Sequence, residues 1–207
     1  MKLKNKDIFF NPLSKNNPVT VQMLGICSAL AVTSKLEPAF IMAVSVTVVA
    51  GFSNMILSLM RKTIPDRIRI IIQLIVVSVL VTVISEILKA FVYDASKQLS
   101  IFVGLIITNC IVMGRIEAFA LSNKPWPSFL DGIGNGLGYG MILVLVGFIR
   151  ELFGSGAVWG IKVIPESFYA AGYANNGFVI LPPMALIIVA CIIWLHRVRD
   201  KNLQEES

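Results

Sequence analysis

Apolar residues fall along this chain in long blocks, and four of them are long enough to cross a bilayer as helices. These blocks run roughly from Pro38 to Met60, Ile68 to Val92, Gly132 to Phe153 and Phe178 to Arg197. Two further blocks, Val19 to Thr33 (VTVQMLGICSALAVT) and Leu99 to Met113 (LSIFVGLIITNCIVM), stop at about 15 residues, short of the roughly 20 that a hydrocarbon core requires. The pattern predicts an all-α membrane protein with six transmembrane helices, the first and fourth short or broken. Three helices per half is an odd number, so the second half enters the membrane from the opposite face. The expected architecture is one integral membrane domain over residues 1–207, built from two inverted three-helix repeats, approximately 16–97 and 98–197. Broken helices at matching places in two such halves point to a central site between them.

The two short blocks share more than length. Cys27 and Cys110 each sit about halfway along, and each block is followed by a basic-x-Glu sequence leading to a phenylalanine: Lys35-Leu36-Glu37-Pro38-Ala39-Phe40 and Arg115-Ile116-Glu117-Ala118-Phe119. Aligning Gly25 with Gly104 brings the basic and acidic residues to within one position of each other and leaves the cysteines one helical turn apart. Helices entering from opposite faces would deliver each thiol roughly 12 to 17 Å deep, near the midplane. A free cysteine is often a small buried hydrophobe, and a disulfide needs Cα atoms within about 7 Å. Metal binding is the sharper alternative, but iron-sulfur and structural zinc sites usually take four soft ligands. Cys27 and Cys110 would supply half of such a set, so a metal centre requires two more thiolates from a pseudo-symmetric partner. Cys191 lies in the last span with no counterpart and reads as packing.

Composition supports the membrane assignment, with 56% apolar residues and a mean hydropathy of +0.79, above the apolar share of about 45–50% typical of soluble domains. The net charge of +6 is not a nucleic-acid signature, because the cations gather at the ends of apolar blocks. With a cytoplasmic N-terminus, most of the 18 Lys and Arg fall on the cytoplasmic side, among them Arg61, Lys62, Arg67, Arg69, Arg115, Lys124, Arg197 and Arg199. The positive-inside rule then places both termini in the cytoplasm. No removable signal peptide is expected, and connections are too brief for a soluble catalytic head.

Four strings carry a resemblance to a known family: LGICSALAVTSKLE at Leu24 to Glu37, FVGLIITNCIVMGRIEAFA at Phe102 to Ala120, DGIGNGLGYG at Asp131 to Gly140, and RELFGSG at Arg150 to Gly156. They resemble the D-type membrane subunits of Na+-translocating NADH:quinone oxidoreductases, and less closely the equivalent subunits of Rnf-type ferredoxin:NAD oxidoreductases. The resemblance implies a bacterial inner-membrane complex of six subunits that passes electrons from NADH to ubiquinone and exports Na+. It implies that the D- and E-type subunits are inverted-topology partners, each giving two cysteines from half-helices to a shared 2Fe-2S cluster. On this resemblance Cys27 and Cys110 are the cofactor and metal ligands. The chain would relay electrons across the membrane and have no catalytic residues or independent activity of its own.

Ser28, Thr108 and Asn109 adjoin the cysteines and are candidate donors to cluster sulfur or partners in interhelical hydrogen bonds. A cluster ringed by Leu24, Ile26, Ile107 and Ile111 would lie in low dielectric, where its potential responds to such groups. Glu37 and Glu117 read as interfacial charges, and Glu86, Lys89, Arg150 and Glu151 as boundary or packing residues. Gly132, Gly136 and Gly140 share one helix face and predict close packing, against the cysteine helices or a partner subunit; their spacing is not a dinucleotide fingerprint. His196 reads as an interface residue. Na+ could use hydroxyl oxygens or carbonyls freed by a broken helix. The competing readings are a redox relay subunit, a secondary transporter on the same inverted plan, and a structural subunit with inert cysteines.

Overall fold

A computed structural model describes residues 5–13, 17–91, 104–159, 161–162 and 177–199. The described chain is helical apart from the two-residue strands Ala157–Val158 and Ile161–Lys162, which pair antiparallel. Among the described residues four helices are long and apolar enough to span a membrane. In chain order the elements are α1 (Asn5–Phe10), α2 (Ile26–Val32), α3 (Leu36–Met60), α4 (Arg69–Phe91), α5 (Cys110–Arg115), α6 (Pro125–Ser155) and α7 (Pro182–Arg199). The boundary between the two expected repeats, near residues 97 and 98, lies outside the described residues.

The core is the pair α3 and α6. In an apolar solvent helices gain little by hiding apolar surface, so small residues that let backbones touch decide which helices associate. A Cβ on Gly132 would lie 2.5 Å from the Ala50 carbonyl oxygen, one on Gly136 2.5 Å from the Thr47 Cα, and one on Gly140 2.9 Å from the Ala43 Cβ. Farther along, Gly147 faces Ala39. Partner numbers fall on α3 as they rise on α6, so the helices run antiparallel. The glycine face therefore packs against α3, not against the cysteine helices, because Ala39, Ala43, Ala50 and Gly51 give α3 the complementary flat surface.

Polar side chains stitch the ends of this pair. Ser58 donates to the Asn123 carbonyl at 2.6 Å, and Asn54 Nδ2 donates to the Ser128 carbonyl at 3.3 Å. These bonds place the end of α3 beside the start of α6. The α3–α4 connection is the short turn from Arg61 to Pro65, which returns α4 alongside α3. On α4, Gln73, Val77 and Val81 are buried, one residue every four, and the remaining faces are open. On α7 only Ala185 and Val189 are buried. The lone thiol Cys191 is exposed on α7, so it does not pack within the chain as the sequence suggested.

Candidate metal centre

Both cysteine segments break immediately before the cysteine. In the first, Asn17 Oδ1 accepts from the Val19 and Thr20 amides at 3.0 and 3.3 Å, and Asn17 Nδ2 donates to the Gly138 carbonyl at 3.0 Å. Those bonds hold Val19 to Gly25 as turns, and helix begins only at Ile26. Gly25 is the N-cap, at φ 78°, where a Cβ would also meet Ile111 Cδ1 at 2.6 Å. Only glycine meets both conditions. Cys27 is thus in the first turn of a seven-residue helix, not midway along a 15-residue one.

The second segment reaches the same end by different chemistry. A helical turn over residues 104–107 stops at Thr108 and Asn109, where Thr108 Oγ1 donates back to the Gly104 carbonyl at 2.9 Å. Asn109 then caps α5, its Oδ1 accepting from the Ile111 amide at 3.0 Å. Cys110 is the first residue of that helix. The caps fall at Gly25 and Asn109, so matching helix starts brings the cysteines to within one position of each other, whereas the Gly25–Gly104 alignment instead matches the basic and acidic residues.

The two starts converge, with Cys27 Sγ and Cys110 Sγ 4.0 Å apart. Both cysteines are free and exposed at the surface of the chain. Two thiolates on one tetrahedral metal, each at about 2.3 Å, stand about 3.8 Å apart. The observed spacing therefore suits joint chelation of one ion and is too long for a disulfide, whose sulfurs are about 2.05 Å apart. Among the described residues no group of three or more Cys, His, Asp or Glu is placed to hold a metal. The pair fits half of a four-ligand set, with its open side turned away from the chain.

Beneath the sulfurs lies a small polar floor. Tyr139, on α6, is fully buried, and its hydroxyl donates to Ser28 Oγ at 2.7 Å. Ser28 in turn donates to the Gly25 carbonyl at 2.9 Å. Tyr139 lies 14 positions from the start of α6 and 16 from its end, so at 1.5 Å per residue the site sits about 21 Å from one end and about 24 Å from the other. That is mid-depth. Ile111 is fully buried beside it, and Leu24 and Ile107 pack partly buried against the same core.

Arginines tether the far ends of both half-helices to α6. Arg115, ending α5, binds Asp131 through Nε–Oδ2 at 3.0 Å and Nη2–Oδ1 at 2.6 Å. Asn135 Nδ2 donates to the same Oδ1 at 3.1 Å. Past the end of α2, Arg150 of α6 donates to Thr33 Oγ1 at 2.6 Å, and to the carbonyls of Val179 at 3.2 Å and of Ile180. Glu151 accepts from the Leu36 amide at 2.6 Å, capping α3. Arg150 and Glu151 are thus packing residues, as their position implied, and almost wholly buried ones. Glu117 lies in a π-helical turn over Ile116–Ala120, pairs with Arg69 and accepts from Gln73 Nε2 at 3.1 Å. Glu37 occupies the first turn of α3, and Lys89 pairs with Glu86 at 2.7 Å.

Two residues of this region escaped sequence reasoning. Asp131 could have been found as an acid four positions before an asparagine inside an apolar block, and Tyr139 as an aromatic flanked by glycines.

The family described as "Rnf-Nqr subunit, membrane protein" matches residues 5–193, most of the chain. The chain belongs to the Rnf-Nqr family. Among curated Rnf-Nqr relatives, the D subunit of the Na(+)-translocating NADH-quinone reductase of Tolumonas auensis is 54% identical over 98% of this chain and 94% of its own length. The D subunit of the same reductase from Haemophilus influenzae is 53% identical over 99% of both chains, and that from Pseudomonas paraeruginosa 53% identical over 97% and 90%.

Proposed function

We propose that this Rnf-Nqr chain is the D-type membrane subunit of a bacterial Na+-translocating NADH:quinone oxidoreductase. In this reading Cys27 and Cys110 supply half the ligands of an intramembrane 2Fe-2S cluster, and a homologous E-type subunit of inverted topology supplies the rest. The cluster provides one-electron transfer across the membrane, in a six-subunit complex that couples electron flow from NADH to ubiquinone with Na+ export. The observation that carries the reading is the 4.0 Å thiol pair at the meeting point of two broken helices. Its sulfurs point outward, where inert packing cysteines would point inward. A secondary transporter would have no need of them, and the D-type relatives carry the quinone-reductase name across nearly the whole chain.

This chain's own residues position the thiols and exclude water. Gly25, Ile111 and Tyr139 close the space behind them, and Ser28 and Asn109 spend their hydrogen bonds on holding the helix starts. Low dielectric there makes any added charge sensitive to nearby dipoles.

The six-crossing inverted plan has support from parity. Antiparallel α3 and α6 begin at opposite faces, and α4 returns beside α3. The end of α4 and the start of α6 are then on opposite faces, so the chain crosses between them, and α5 lies in that stretch. With α2 as the matching half-helix, six segments form two inverted halves. The cation distribution supports a reading with both termini in the cytoplasm, at the inner membrane.

Purified complexes carrying Cys27→Ala or Cys110→Ala test the assignment. Each is expected to assemble while losing iron and electron flow to quinone. Wild-type iron content together with wild-type quinone reduction in either variant would sink it.

A further inference from the structure

One buried side chain touches the start of the helix that carries Cys27. The ring edge of Tyr139 lies against the backbone of Gly25, where an added Cβ would stand 3.1 Å from Tyr139 Cε2. Its hydroxyl donates to Ser28 Oγ at 2.7 Å, and Ser28 passes the contact on to the Gly25 carbonyl at 2.9 Å. Both bonds end on the first turn of α2, which carries Cys27. Asn109 caps the helix that Cys110 begins, and Ile111 of that helix packs on the same Gly25, where an added Cβ would stand 2.6 Å from its Cδ1. The two half-helices are short, seven and six residues, and helices of that length do not hold their own starts in place. Tyr139 sits instead on α6, the longest helix, which is locked to α3 by its glycine face.

We propose that Tyr139 is a positioning residue for the thiol pair: through Ser28 its hydroxyl fixes the start of α2, so that Cys27 stays at chelating distance from Cys110. The site's consequence for iron rests on the cluster reading above; the control of thiol spacing does not. The ring alone can fill the space, as phenylalanine would. The hydroxyl is what couples α6 to the start of α2, so removing one oxygen separates positioning from packing.

The test uses the assembled complex with Tyr139→Phe, Ser28→Ala and the double variant. One readout is the midpoint potential of the iron signal in a reductive titration. The other, made after chelator treatment, is the rate at which phenylarsine oxide captures both thiols of this chain, followed by intact mass; capture forms two As–S bonds and releases the oxide as water. Tyr139→Phe is expected to shift the potential and slow capture several-fold while iron per complex is retained. Ser28→Ala should do the same, and the double variant no more than Ser28→Ala alone, because residues acting through one contact are non-additive. Wild-type potential and capture rate in Tyr139→Phe, or additive effects in the double variant, overturn the proposal. Should Tyr139→Phe fail to assemble, Ser28→Ala carries the same two expectations and the same power to refute. Iron unaffected by Cys27→Ala would instead remove the cluster reading, and the arsenical rate would still decide the role of Tyr139.

Discussion

The pair α3 and α6 differs from the pair α4 and α7 in a way hydropathy does not foretell. All four helices are apolar enough to span, yet the apolar stretches of α3 and α6 are each 61% buried within the chain and those of α4 and α7 each 17%. What separates them is small residues. Thr47, Ala50 and Gly51 on α3 meet Gly132 and Gly136 on α6 at backbone distance, whereas α4 presents Ile70, Ile71, Ile75, Val79 and Val83 outward. Bulky chains lie as well against lipid tails as against another helix, so α4 and α7 gain little by burial. α3 and α6 form the scaffold, and α4 and α7 are open to lipid or to neighbouring subunits. On the proposed inverted plan these are the second and third helices of each half, and equal burial within each rank is what such a plan would produce.

The contrast breaks most readily at Gly132. Gly132→Ala sets a Cβ against the Ala50 carbonyl, and overpacking of this kind costs about 1–3 kcal/mol or more. Loss of assembled complex is expected, read as the yield of intact complex after detergent extraction, and Gly136→Leu should act alike. Normal yield of fully assembled complex would remove the scaffold role. Next in size is Glu151→Ala, which strips the cap from the buried Leu36 amide; a loss of about 1–3 kcal/mol is expected, seen as a lower melting temperature. Glu151→Gln, which keeps an acceptor, should recover most of it, and equal melting points for the two variants would argue against a capping role. The smallest effect is expected on α4, where Val79→Leu adds a methylene to an exposed face. Melting temperature and yield should match wild type, and a marked loss would show that α4 has a tightly packed partner at that position.

Much of this was legible in the amino-acid order. The four spans appear where the apolar blocks place them, though α6 starts at Pro125 and runs to Ser155, beyond the Gly132 to Phe153 expected. Ser128 and Asp131 fall before that block, and they enter the helix because a lysine-adjacent proline starts it and Arg115 neutralises the buried carboxylate. Cys27 and Cys110 were legible as a pair. Their position at helix starts was not, since the break in the first segment comes from a side chain of Asn17 reaching Gly138, a contact 121 residues away in sequence. Periodicity reports local preference and is blind to a bond of that span. For the same reason the partners of Arg115 and Arg150 could not be read, while the i, i+3 pair of Glu86 and Lys89 could.

The uncovered thiol pair also sets an order of events during biogenesis. Sulfurs 4.0 Å apart need close by only about 2 Å to form a disulfide, and both cysteines are exposed. A newly inserted chain that meets an oxidant before its partner would consume both thiols in one bond. On the proposed assignment maturation would then be a race, won by inserting the neighbouring chain and the metal before an oxidant arrives.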